Sequence, residues 1–204
     1  MKKSILFVLF VLVVCVFCLI SCGDKTADID KAIEAYCDFM ERENLHEWHF
    51  ALCYIDEDDI PELVVSGGNS HPVTASIYTY GDGKVTEIGY AGSFGEFKFA
   101  PKQSSIISSY LGMGELYEMF YTVKDGALEQ VKYFKDDSGT GYYPEGKMTF
   151  KINDIEVSEE EYNTELESMR NAYSYLIIGY ENGFAIDENL SKLKDNWQDF
   201  LIEE

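Results

Sequence analysis

The sequence predicts an α+β domain on three observations. An amphipathic helical stretch opens the body of the chain, a long middle region sets β-branched and aromatic runs between turn pairs, and a helical period returns near the C-terminus. Of the 204 residues, 46% are hydrophobic and 15% aromatic, enough for one substantial core and too apolar for a disordered chain. Lys and Arg number 16 against 37 Asp and Glu, a formal net charge of -21. Such a surface repels a phosphate backbone, so nucleic-acid binding is set aside, and so is adhesion to anionic lipid by charge alone.

Residues 28–43 place Ile29, Ile33, Tyr36, Cys37 and Met40 at helical spacing among acidic residues, with Asp28 as the expected N-cap. From Trp48 the pattern turns to strands, expected at 50–55, 63–66, 73–80, 84–90 and 94–99, then at 117–123, 128–134 and 147–152. Asp82-Gly83 and Asp125-Gly126 each join two such runs as tight hairpin turns, since both residue types accept a positive φ. Ser158 followed by Glu161 is a capping box, which opens a helix reaching about Arg170. Asp187 opens a last helix, with Ile186, Leu190, Leu193, Trp197, Phe200 and Leu201 on one core-facing stripe. The expected architecture is an N-terminal helix, an antiparallel β-meander and two C-terminal helices.

The first residues read as an export signal: Lys2 and Lys3 form a basic head, Ile5 to Ile20 is unbroken and apolar, and Ser21-Cys22-Gly23-Asp24 ends the run. The run is short for a permanent bilayer span. Leu19-Ile20-Ser21-Cys22 resembles the lipobox of bacterial lipoproteins. That resemblance implies cleavage before Cys22, a lipid on its thiol, and a protein anchored at the extracytoplasmic face of the cell membrane. Cys15 and Cys18 leave with the signal. The expected organisation is therefore a signal peptide over 1–21, a lipidated tether over 22–27 and a single domain over 28–204. Removing the signal takes away two lysines and no acid, which moves the net charge to -23. Two cysteines remain, Cys37 and Cys53. One disulfide or two buried thiols fit the pattern, and a domain of this size favours thiols.

One segment concentrates acid. Tyr54-Ile55-Asp56-Glu57-Asp58-Asp59-Ile60-Pro61-Glu62-Leu63 lies between two strands, and like charges at that density repel unless a hard cation such as Ca²⁺ gathers them. The segment resembles the D-x-D-G-D-G-x-P-E-L loop of many small, functionally uncharacterised lipoproteins and secreted proteins of Gram-positive gut-type bacteria. That loop is similar in turn to EF-hand and dockerin calcium loops. The resemblance extends more loosely through Tyr78-Thr79-Tyr80-Gly81-Asp82-Gly83-Lys84 and Ile155-Glu156-Val157-Ser158-Glu159-Glu160-Glu161-Tyr162. It implies a calcium site made by Asp56, Asp58, the backbone carbonyl of Ile60, and Glu62. Two positions depart from it: Tyr54 stands where the first Asp would be, and Asp59 stands where Gly allows the sharp turn, so a ligand is lost and strain is expected.

The other constellations are thinner. His46-Glu47-Trp48-His49 is one residue short of H-E-x-x-H, so its imidazoles cannot share a metal at i, i+4, and His71 stands alone before Pro72. Ser66-Gly67-Gly68 and Gly92-Ser93-Phe94-Gly95 are not nucleophile elbows. The stretch from Asp136 to Pro144, with Tyr142 and Tyr143, reads as a loop. No catalytic signature assembles. The reading is a lipid-anchored surface domain that binds a protein, peptide or envelope glycan without catalysis. The alternatives are an envelope- or glycan-acting enzyme with a carboxylate pair drawn from Glu62, Asp58 and Glu96, or a small-ligand carrier.

Overall fold

In the computed structural model, which describes residues 25–112, 115–137 and 148–203, the first helix α1 runs Lys25–Arg42 and buries Ala32, Ile33, Tyr36, Cys37 and Met40. It begins three residues before the expected cap. Asp28 therefore sits in the first turn, where its carboxylate meets the helix dipole and accepts from Lys31 Nζ at 3.0 Å. The signal and Cys22 lie outside the described residues, as does 138–147 with Tyr142 and Tyr143. Among the described residues no helix is long and apolar enough to cross a membrane.

The α+β class holds, but the single meander does not. The strands form two antiparallel sheets. One takes β1 (His49–Cys53), β2 (Glu62–Ser66), β3 (Ala75–Gly81), β4 (Lys84–Ala91) and the short β12 (Phe184–Ala185), in the order β12-β1-β2-β3-β4. The other takes β5 (Glu96–Ala100), β6 (Ser105–Gly112), β7 (Glu115–Lys124), β8 (Ala127–Asp136), β9 (Phe150–Ile152), β10 (Ile155–Val157) and β11 (Leu176–Gly179), in the order β10-β9-β8-β7-β6-β5-β11. The chain changes sheet at Gly92 to Gly95, where both glycines have positive φ.

Alternation along β1 and β2 shows how the layers stack. Ala51, Cys53 and Val64 face the second sheet, packing with Ile77, Phe97, Phe99, Ile106 and Ile178. Phe50, Leu52, Leu63 and Val65 face the other way, under α1. These two strands are buried on both faces, which is why they read as apolar runs with little polar alternation. On the far side of the second sheet, α2 (Glu159–Arg170) lays Tyr162 and Leu166 onto Ile107, Phe120, Phe134 and Ile152. The result is helix, sheet, sheet, helix, with two apolar interfaces flanking the inter-sheet core.

Several elements follow the sequence closely. Ser158 accepts from the Glu161 amide at 3.2 Å and starts α2 where the capping box placed it. The Asp82-Gly83 and Asp125-Gly126 turns each put both residues at positive φ, as a type I′ hairpin needs. Cys37 and Cys53 are free and buried. Cys37 belongs to the core under α1 and Cys53 to the inter-sheet core, so the first sheet lies between them, and burial pushes both thiols up, Cys37 to about 11.

The last helix is corrected: it divides into α3 (Ile186–Leu193) and a 3₁₀ turn (Trp197–Phe200). The cause is the chain end. Leu201 forms a parallel bridge to Leu52 and the Ile202 amide donates to the Leu52 carbonyl at 2.8 Å, which demands extended backbone where a continuous helix would run. The stripe still reaches the core, with Ile186, Leu193 and Phe200 buried and Leu190, Trp197 and Leu201 packed beside them. Asp187 does not cap α3; its carboxylate meets His46 Nδ1 at 3.0 Å.

A charged contact fixes α2. Arg170 Nε and Nη2 donate to the two oxygens of buried Glu118 at 2.8 and 2.5 Å, and the Tyr162 hydroxyl donates to buried Asp136 at 2.9 Å. Arg170→Ala strands the Glu118 carboxylate in a nearly dry site, and a loss of about 2 kcal/mol in urea denaturation is expected. The double variant Glu118→Leu/Arg170→Leu should recover part of that loss; a single variant with wild-type stability would show the pair to be idle.

Candidate functional site

The carboxylates gather in the loop between β1 and β2. These strands pair with Cys53 opposite Glu62, so the residues between them must reverse the chain. Three side chains order the reversal. Asp56 Oδ1 accepts from the Asp58 amide at 2.9 Å, Asp58 Oδ1 accepts from the Ile60 amide at 2.7 Å, and Glu62 Oε2 reaches back to accept from the buried Ile55 amide at 2.7 Å. One carboxylate oxygen from each of Asp56, Asp58 and Glu62 lies within 4.8 Å of the others, the one such group of possible metal ligands among the described residues. Three of the four expected ligands are thus brought together. Ile60 contributes no side-chain donor; it turns its side chain to the core under α1.

Glu62 is the unusual member. It is 1% exposed, and its Oε1 is buried with no hydrogen-bond partner. A buried carboxylate oxygen left in that state costs free energy unless something positive meets it. Burial, and then the nearby Asp56, push the Glu62 carboxyl well above its usual range, while the Ile55 amide opposes the shift. Asp58 is also raised, again by burial first.

The surrounding contacts hold the loop in place. The buried Tyr36 hydroxyl of α1 donates to the Pro61 carbonyl at 2.9 Å. From the β5–β6 turn, the Lys102 amide donates to the Tyr54 carbonyl at 2.9 Å and the Ser104 amide to the Ile55 carbonyl at 2.8 Å. Lys102 Nζ lies 4.7 Å above the Tyr54 ring and 3.2 Å from Asp59 Oδ1. Tyr54 thus replaces the missing first ligand with a cation–π seat. The strain expected at Asp59 is absent, since its φ is not positive and its carboxylate points to Lys102. No local signal announced this arrangement, because Lys102 comes from a distant turn.

The remaining acids and histidines go elsewhere. Glu96 lines a cavity of about 250 Å³ with Phe94, Lys98, Tyr110 and Ile177, which includes neither Asp58 nor Glu62. Of the three candidates for a carboxylate pair, Asp58 and Glu62 come together in the loop and Glu96 lines this separate cavity. His46 pairs with Asp187, His49 stacks on Tyr180 at 4.0 Å between ring centres, and His71 packs against Phe94 and Tyr110. Each serves a different contact. No protein-family model, curated protein or solved structure matches the chain.

Proposed function

We propose that this chain is a lipid-anchored, extracytoplasmic binding domain whose β1–β2 loop takes one Ca²⁺ ion through Asp56, Asp58 and Glu62. The observation that carries the cation is the buried, unpartnered Oε1 of Glu62 beside two further carboxylates. Water and a loop carbonyl, Ile60 among the candidates, would complete the six to eight oxygens that Ca²⁺ takes, with the tolerance of irregular geometry that Mg²⁺ lacks. The ion neutralises like charges and orders the segment joining two strands of the inter-sheet core. Its role in this reading is structural: it stiffens a surface that engages a protein, peptide or envelope glycan.

The anchor rests on the basic head, the apolar run and the lipobox ending at Cys22. Once the signal is removed, an acidic body of net charge -23 is repelled by anionic lipid, so lipid on Cys22 has to hold it at the membrane.

Melting the segment 23–204, which carries every described element, tests the cation. At free Ca²⁺ about 100 times Kd, binding to the folded state adds about 2.7 kcal/mol over EDTA, an expected rise of about 5–10 °C for a domain of this size. Mg²⁺ should give less, and Asp56→Asn/Asp58→Asn should abolish the rise. An unchanged melting temperature at millimolar Ca²⁺ would end the calcium reading.

A further inference from the structure

Beside α1, the first sheet leaves a second feature open. α1 lies across the outer face of this sheet, over Phe50, Leu52, Leu63 and Val65, and reaches Tyr78 and Tyr80 of β3 and Val85 of the edge strand β4. A groove of about 390 Å³ remains between Phe39, Glu43 and Leu45 on the helix side and Trp48, Tyr78 and Glu87 on the strand side. That volume falls within the range of small-molecule sites.

Three aromatic side chains make its walls. Phe39 and Tyr78 are tilted against each other at 4.6 Å between ring centres, and Trp48 is 39% exposed. The Trp48 ring is seated on backbone: a Cβ at Gly67 would lie 3.0 Å from it, so the glycine admits the indole at this position. The rim is acidic. Glu87 stands directly across from Tyr78 on the paired strand, so carboxylate and phenol share one face, and Glu43 closes the helix side. No Lys or Arg lines the groove. The Tyr78 hydroxyl is pushed up, by burial first and then by Glu87 and Glu43.

A cation already uses this surface. The Arg42 guanidinium lies 5.6 Å over the Phe39 ring while Nε donates to Glu43 at 3.1 Å. Glu43 is thereby engaged. Glu87 makes no ion pair among the described residues, which leaves an uncommitted carboxylate in the groove lining, across from Tyr78.

The geometry points to a site for a small organic cation of the alkylammonium class, held between Trp48 and Tyr78 and neutralised by Glu87. Ring faces attract such a cation through their quadrupoles, and its methyl groups suit apolar walls that a hydrated metal ion would not. The charge of the whole domain works in the same direction, raising the local concentration of any cation and repelling anions. A free amine is therefore favoured over a headgroup that carries its own phosphate. This site shares no residue with the Asp56–Glu62 loop, and either can fail without the other.

The test uses the full-length chain in a neutral maltoside detergent, with Trp197→Phe so that Trp48 alone reports. Choline chloride is titrated against sodium chloride of equal ionic strength, with phosphocholine and the neutral isostere 3,3-dimethylbutan-1-ol as further arms. The expected result is a saturable change in Trp48 emission with choline, weaker with phosphocholine and weaker again with the alcohol. Glu87→Gln, an exposed change on an edge strand, should weaken choline binding about tenfold. Equal response to the neutral alcohol would show an apolar groove with no preference for charge. Unchanged affinity in Glu87→Gln, tighter binding of phosphocholine, or no saturation in the choline arm would each overturn the assignment. Calorimetry on the unmodified chain guards against an effect of the Trp197 substitution.

Discussion

In EDTA, the domain should lose stability as the pH is raised from about 5 towards 8, and a Glu62→Gln variant should lose less, by about 3 kcal/mol for a buried charge without a partner. The sign follows from Glu62. Its carboxyl is raised well above 4.5 in the folded protein, by burial first and Asp56 next. Below 4.5 both folded and unfolded chains hold the proton and the contribution is complete. Above it the unfolded chain ionises freely while the fold resists, so stability drains away until the pH passes the folded value. Calcium reverses the demand, because a carboxylate must be ionised to bind it. The Ca²⁺-dependent gain in melting temperature should therefore grow with pH over the same window and vanish in Glu62→Gln. Parallel pH profiles of wild type and variant in EDTA would show that the buried oxygen carries no cost. A calcium gain that ignored pH would place the ion away from Glu62.

Why the loop was legible and its key feature was not follows from where each signal lies. Asp56, Asp58 and Glu62 are neighbours in sequence, and two flanking strands with Cys53 opposite Glu62 force their side chains together. The orphaned Oε1 depends on burial in the folded domain, which no short window of sequence contains. The same contrast runs through the fold. α1, α2 and the two Asp-Gly hairpins are local objects with local caps and turns, and they stand where the sequence put them to within a few residues. β6 escaped because Ser105, Ser108 and Ser109 break its apolar pattern; Ser108 is buried to receive the Gly92 amide, a purpose visible only in three dimensions. β10, β11 and β12 are four residues or fewer, and their pairing partners lie far away except for β9 beside β10. The break in the last helix is likewise imposed from outside, by the bridge between Leu201 and Leu52.

The crossing between the sheets is where a single methyl group should do most damage. Gly92 has φ +80, its amide donates to Ser108 Oγ at 2.7 Å, and an added Cβ would lie 1.7 Å from the Glu96 carbonyl oxygen. Backbone, not a flexible side chain, blocks the space, so the chain must move and both sheets move with it. Gly95 repeats the situation, with a Cβ 2.1 Å from the Gly68 carbonyl oxygen. Gly92→Ala should cost more than about 4 kcal/mol and leave little folded protein. Gly126→Ala separates the two causes. Gly126 has φ +73 at the β7–β8 turn with open space around its Cβ position, so the variant bears the left-handed penalty alone, about 1–2 kcal/mol. Urea denaturation of both variants decides the matter. A large excess for Gly92 means that the close approach of the connection to the start of β5, and not its φ, requires glycine there. Equal losses would mean that the crossing relaxes easily and that the two sheets are less tightly coupled than their packing implies. In that case the inter-sheet core of Cys53, Ile77, Phe99 and Ile106 would hold the layers together without help from the connection.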